Sequence, residues 1–312
     1  MKDELNYRSR RTFLKTISGA GILLAAGYPS QLFANDETEE TLTVLHTNDW
    51  HSRIESFPMD GGKYQGQGGA AQRAFLIQQI RQEQKNVLLL DAGDIFQGTP
   101  YFNFYHGELE MKLMSEMGYD ASAIGNHDFD AGVDGLAAQL PNATFPLINA
   151  NYDFTNTEME GKTIRYKIFQ KGKLKIGVFG LGIELNGLVP QSLYGETKYN
   201  EPISIANQIA NQLRNDEKCH LVICLSHLGY QYADNKVSDE VLAKNTSNID
   251  LIIGGHTHTF LDAPVTFQNA NGKNVLVNQV GWAGLILGRL DFSFQKNLQA
   301  HHVKHQSVRI RK

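Results

Sequence analysis

Leu251-Ile252-Ile253-Gly254-Gly255-His256-Thr257-His258 sets three apolar residues before a glycine pair and two histidines one residue apart. The apolar run reads as a buried strand that the glycines end. In an extended segment His256 and His258 share a face, so both imidazoles can reach one ligand. Four other places repeat the arrangement. Leu42–His46 precedes Asp49-Trp50-His51, and Val87–Leu90 precedes Gly93-Asp94. Ala121–Ile124 precedes Gly125-Asn126-His127-Asp128, and Leu221–Leu225 precedes Ser226-His227. Open α/β sheets bind ligands at the carboxyl ends of their strands. Five strands that end in Asp, Asn or His can therefore converge polar groups on one spot. Singly, each block is weak: Gly-Asp after a strand is commonly a turn, and a lone histidine at a strand end is more often hydrogen-bonded than metal-bound. Their ordered conjunction decides the reading. Five of the 11 histidines fall in these blocks, while the tail cluster His301, His302 and His305 reads as exposed surface.

The donor types predict the bound species. Imidazole, carboxylate and amide groups without thiolate suit Zn, Mn or Fe, and do not choose among them. A pair of divalent ions about 3.5–4 Å apart clamps the attacking and leaving oxygens of a phosphoryl group. Such a pair needs a bridging carboxylate and an open position for an activated water. The expected cofactors are two divalent metal ions.

At these blocks the chain resembles the calcineurin-like metallophosphoesterase superfamily, whose pattern is D-x-H, G-D, G-N-H-D/E, H and G-H-x-H. Within it the chain is similar to the catalytic domain of bacterial 5′-nucleotidases and UDP-sugar hydrolases. That branch is indicated by Thr47-Asn48-Asp49, Gly68-Gly69-Ala70-Ala71-Gln72-Arg73, Gly118-Tyr119-Asp120-Ala121, Gln279-Val280-Gly281 and Leu287-Gly288. The likeness runs from about Thr41 to Phe294. It implies that Asp49, His51 and His258 hold one metal, that Asn126, His227 and His256 hold the other, and that Asp94 bridges. It implies that a metal-bridging hydroxide attacks a phosphoester in line, with His127 stabilising the transition state and Asp128 orienting His127. The branch ordinarily carries Glu where Asp128 stands. The expected activity is hydrolysis of 5′-nucleotides or related phosphomonoesters. Other readings stay open: a 2′,3′-cyclic-nucleotide or other phosphodiesterase, a sulfur-compound hydrolase, or a non-catalytic subunit that binds metal or nucleotide and scaffolds a partner. Full-length nucleotidases continue into a second, nucleotide-gripping domain. The expectation is a chain lacking it, acting alone with broad specificity or with a separately encoded C-terminal nucleotidase domain as partner.

Ser9-Arg10-Arg11-Thr12-Phe13-Leu14-Lys15 matches a twin-arginine export signal. The apolar run 17–28 that follows is shorter than the roughly 20 residues of a membrane span. Leu32-Phe33-Ala34 offers a cleavage site. Residues 1–34 are thus expected to be a removed signal peptide, 35–40 an acidic tether and 41–312 the catalytic domain, located in the periplasm with no membrane span in the mature chain. The leader carries five basic and two acidic side chains against −4 for the whole, so the remainder carries −7. An acidic surface argues against a nucleic acid polymer as substrate and for a small phosphoester. Cys219 and Cys224 lie about 16 Å apart along one predicted strand, too far for a disulfide, and read as packing.

Helices are predicted over Ala70–Gln84, Leu109–Met117, Leu136–Leu140 and Ile203–Arg214. Strands are predicted over Pro146–Ala150, Val275–Val280 and Leu285–Phe294, and a hairpin joins Ile164–Gln170 to Leu174–Gly180. Mixed elements with hairpins suggest an α/β fold of two packed mixed sheets flanked by helices, the four-layer αββα sandwich of the family the chain resembles. The Gly-rich stretch Gly61 to Gly69 reads as a solvent loop rather than a ligand loop, since it lacks a phosphate-cradling context. Phe96 to Tyr105 reads equally as an exposed apolar wall or as core.

Overall fold

The computed structural model describes residues 40–234 and 236–311. The predicted signal peptide and all of the predicted tether except Glu40 lie outside these residues. In chain order the elements are β1 Glu40–Thr47, α1 Ala70–Glu83, β2 Val87–Asp91, α2 Pro100–Tyr105, α3 Glu108–Met117, β3 Ala121–Ser122, α4 Gly132–Gln139, β4 Tyr152–Asp153, β5 Tyr166–Lys171, β6 Leu174–Leu181, α5 Gln191–Tyr194, β7 Lys198–Tyr199, α6 Pro202–Asn211, β8 Leu221–Ser226, α7 Asp239–Asn245, β9 Leu251–Gly254, β10 Val265–Gln268, β11 Asn274–Asn278, β12 Ile286–Phe294 and β13 Ala300–Arg309.

Local chemistry fixes the helix ends. Gly68 and Gly69 both take positive φ, which lets the chain turn sharply into α1. The Glu201 carboxylate accepts from the Ile203 and Ser204 amides at the start of α6, and Pro202 sits where no amide donor is needed. Ser238 caps α7 by accepting from Val241 N.

Among the described residues two large sheets form, ordered β13-β12-β1-β2-β3 and β10-β11-β9-β8-β6-β5, with β4 and β7 pairing as a small third. Both are mixed: β1 pairs parallel with β2 and antiparallel with β12, while β8 runs parallel to β6 and β9. Leu42, Val44, Leu88, Leu90 and Leu290 of the first sheet pack against Ile176, Val178, Ile223, Leu225 and Ile253 of the second. The outer face of the first sheet, through Leu45 and Leu89, meets Ile77 of α1 and Met111 and Met114 of α3. The outer face of the second, through Val222 and Ile252, meets Ala206 and Ile209 of α6 and Leu242 of α7. Helix, sheet, sheet, helix is the four-layer αββα order expected. Strands buried on both faces explain their near-continuous apolar runs.

Two expectations change. Pro146–Ala150 makes only isolated bridges, Leu147 to Ser122 and Ile148 to Ile164, because β3 is too short to pair with more of it. The helix predicted to Arg214 stops at Asn211 and widens into a π-turn over Gln212–Asp216. There the Arg214 guanidinium bonds the carbonyls of Cys219 and His220 and pairs with Asp250. The tail adds an element that the sequence reading does not name: β13 pairs with β12 as the edge of the first sheet, with His305 exposed. Cys219 and Cys224 are free and buried. Among the described residues no helix is long and apolar enough to cross a membrane.

Candidate metal centre

The parallel strands β1, β2 and β3 of one sheet and β8 and β9 of the other all end at one rim. The loops leaving them carry the five blocks. Asp49, His51 and His258 bring ligand atoms within 4.8 Å of one another, and so do Asp94, His227 and His256. In the first group His258 Nε2 is 3.4 Å and His51 Nε2 is 3.9 Å from Asp49 Oδ1. In the second, His227 Nε2 is 3.1 Å from Asp94 Oδ2. The same Asp94 oxygen is 3.9 Å from His51 Nε2, so this carboxylate stands between the groups. Asn126 Oδ1 lies 2.7 Å from His256 Nδ1. Asp49, Asp94 and His227 are fully or almost fully buried.

The donor set fits divalent cations. His227 Nδ1 donates to the Ala92 carbonyl at 2.7 Å, since that carbonyl can only accept. The opposite nitrogen, Nε2, is buried with only the Asp94 carboxylate facing it, Oδ2 at 3.1 Å. Its lone pair faces the Asp94 carboxylate, an arrangement that repels unless a proton or a cation lies between them. Burial disfavours charge on His227, but the negative charge of Asp94, a hydrogen bond to that carboxylate and then the charge of Asp49 outweigh it and push its pKa up to about 10. A bound dication supplies the same compensation in place of the proton. His256 is pushed down to about 4, by burial first and then by the charge of His227, so it holds the neutral form that ligates metal.

Backbone strain marks the same spot. Asp49, His51, Asp94, His256 and His258 all have φ between 51° and 71°, the left-handed region that glycine favours. Each such residue costs on the order of 1–2 kcal/mol and persists only where surroundings hold it. Glycines supply close approach: an added Cβ on Gly125 would stand 2.2 Å from Asp94 Oδ1, and one on Gly255 would stand 2.8 Å from His227 Nδ1.

His127 is beside the pair, its ring centroid 5.3 Å from that of His51 and its amide donating to Asp94 Oδ1 at 2.8 Å. Its partner corrects the sequence expectation. Asp128 does not orient His127. Its carboxylate is buried and accepts from four backbone amides: Gly125 at 2.8 Å, Ile95 at 2.9 Å, and Asp94 and Phe96 at 3.2 Å each. It ties the Asp94 loop to the Gly125 turn. Asp130 is the partner, with Oδ2 at 2.9 Å from His127 Nδ1. A three-residue spacing brings the two to one face of the turn, and that spacing in His127-Asp128-Phe129-Asp130 was the available signal. The bond to Asp130 leads the causes that raise the His127 pKa, against partial burial.

The two undecided segments also resolve. Phe96 and Phe102 are core and stack at 5.7 Å, whereas Phe104 is 78% exposed. The Gly-rich loop exposes Gly61 to Lys63 but anchors Tyr64 against Phe57 and Phe260. Sequence reasoning missed that Trp282 lies flat on His258, with centroids 5.7 Å apart and planes 7° off parallel.

A paired donor set at the strand ends of an αββα sandwich is an arrangement that suits two-metal phosphoester chemistry. Comparison with known proteins makes the class specific: residues 42–260 match the calcineurin-like phosphoesterase family, and the chain belongs to it. A 5′-nucleotidase of Vibrio vulnificus is 35% identical over 92% of this chain and 55% of its own length. A snake venom 5′-nucleotidase of Crotalus adamanteus is 35% identical over 81% of this chain and 45% of its own. The crystal structure of a 5′-nucleotidase precursor from Thermus thermophilus superposes with TM-score 0.77 at 31% identity, covering 87% of this chain and 55% of that one. The chain spans about half the length of these relatives.

Proposed function

We propose that this chain hydrolyses phosphomonoesters of the 5′-nucleotide type in a centre that takes two divalent cations. Asp49, His51 and His258 would hold one, Asn126, His227 and His256 the other, with Asp94 shared. The observation that carries the reading is that Asp94, a member of one three-residue donor group, stands 3.9 Å from His51 of the other, with His127 beside them. Its substrate class rests on relatives that are named 5′-nucleotidases. When bound, the two cations polarise the phosphoryl oxygens and lower the pKa of the attacking water.

The protein's own groups supply the rest. Asp130 engages Nδ1 of His127 and favours its protonated form, leaving Nε2 to donate to the phosphoryl or leaving oxygen. Asp128 holds the amides of the Asp94 loop and so fixes the shared carboxylate. Ser9 to Lys15 supports export through the twin-arginine route to the periplasm, with the metals loaded before transport of the folded chain.

The test follows phosphate release from AMP and an aryl phosphate, and release of the aryl alcohol from an aryl phosphodiester, by the full chain with added Mn²⁺ or Zn²⁺. Release from the two monoesters that stops on chelation supports the reading. Turnover of the diester alone makes the chain a phosphodiesterase. Turnover of none, with both ions bound, favours a non-catalytic subunit.

A further inference from the structure

The Gln279-Val280-Gly281 run has no part in the chemistry so far, yet it and the next two residues touch the metal groups from behind. Gln279 is fully buried. Its Nε2 donates to Gly255 O at 2.5 Å, and its Oε1 accepts from Thr257 Oγ1 at 3.1 Å and from Thr259 N. One side chain thus spans the whole loop that carries His256 and His258, both of which hold left-handed φ. Val280 N donates to Asn48 Oδ1 at 3.0 Å, and Asn48 Nδ2 lies 2.6 Å from both Gly281 O and Asp49 Oδ2. Trp282 stacks on His258. Ala283 N donates to Asp49 O at 2.7 Å.

The contacts are unevenly shared. They reach Asp49 and His258 directly, two of the three donors of the first group. Of the second group they flank only His256. His227 is oriented by Ala92 O, and the Asp94 loop by Asp128.

We infer that Gln279 to Ala283 is a positioning brace for the pocket of Asp49, His51 and His258, and sets the affinity of its ion separately from that of the second. The inference rests on the two-cation reading. Groups that orient metal ligands typically change affinity 10–100-fold when removed. An unbraced loop relaxes from left-handed φ and carries its imidazoles away from the shared point.

The experiment titrates the chelated full chain with Mn²⁺ by calorimetry and follows spin coupling between the two ions by electron paramagnetic resonance. The variants are Trp282→Leu, Gln279→Met and, as the reference that deletes one ligand of the first pocket, His258→Ala. Trp282 is only half-buried, and the urea midpoint of the metal-free variant reads whether its replacement spares the fold. The brace predicts that the binding step missing in His258→Ala is the step weakened at least tenfold in Trp282→Leu, with the other step within about threefold. Gln279→Met weakens the same step more and the other less. A purely structural role would lower the urea midpoint of the metal-free chain and weaken both steps together. Two tight steps in the unmutated chain that shift equally, or not at all, in both variants overturn the brace alone. Fewer than two ions in the unmutated chain overturn the two-cation reading and the brace with it.

Discussion

Asp128 and Asp130 stand two residues apart, and the structure gives them opposite jobs that substitution separates. Asp128→Asn keeps one carbonyl oxygen and turns an NH2 group toward two of the four amides that the carboxylate now accepts: either Gly125 and Asp94, or Ile95 and Phe96. Two buried donors left without acceptors cost about 1–3 kcal/mol each. Burial and the charge of Asp94 push the Asp128 carboxyl up, so losing that charge returns part of this. The net expectation is about 2–4 kcal/mol. Asp130→Asn touches a partly exposed pair, 39% for the imidazole and 25% for the carboxylate, worth at most about 1 kcal/mol after screening. Urea unfolding of the metal-free variants reads the first difference. Turnover of the metal-loaded proteins reads the second, with Asp130→Asn slower although its stability is nearly unchanged. An Asp128→Asn protein with unchanged urea midpoint, paired with an Asp130→Asn protein of full activity, would falsify the assignment.

Other expectations follow from the same geometry. The His127 pKa is raised by Asp130, so the charged form survives to higher pH than in a free imidazole. The alkaline limb of the rate profile should therefore move to lower pH in Asp130→Asn, and any stability from the pair is full below about pH 6.5 and lost as pH rises through the folded value. Gly125→Ala places a methyl group 2.2 Å from Asp94 Oδ1, so metal titration should show both ions weakened at once. Mn²⁺ at 100 times its dissociation constant should stabilise the chain by about 2.7 kcal/mol per site, roughly 5 °C or more in melting temperature, and EDTA should abolish the gain. Ile253→Ala opens a cavity between the sheets and should cost about 2–5 kcal/mol in urea unfolding.

The parts of this molecule legible in the sequence are those where one chemical pattern repeats. Five apolar runs of the inner strands end in a polar ligand block, because a strand buried on both faces must be apolar until it reaches the rim. Those runs mark the strands and the blocks at their ends, while the four layers and the role of each donor come from the family that the blocks resemble. β13 is not legible because this edge strand is exposed on both faces at Lys304, His305 and Gln306, so no alternation of apolar and polar residues marks it. The role of Asp128 was misread because proximity in sequence suggested a side-chain partner, whereas its acceptors are spent on amides of a loop more than 30 residues away. Gln279 and Asn48 could be seen as motif members, but not what they hold. Their partners are set by how the loops after β9 and β11 fold against each other, and no local spacing encodes that.

The central claim is a two-cation centre in which His127 acts on the substrate without holding a metal. The most direct measurement pairs metal content per chain with AMP hydrolysis, in the unmutated protein and in His127→Ala. The account predicts two ions bound in both proteins and a turnover about 10²–10⁴-fold lower in the variant. Unchanged turnover with both ions in place, or loss of an ion along with His127, would contradict it.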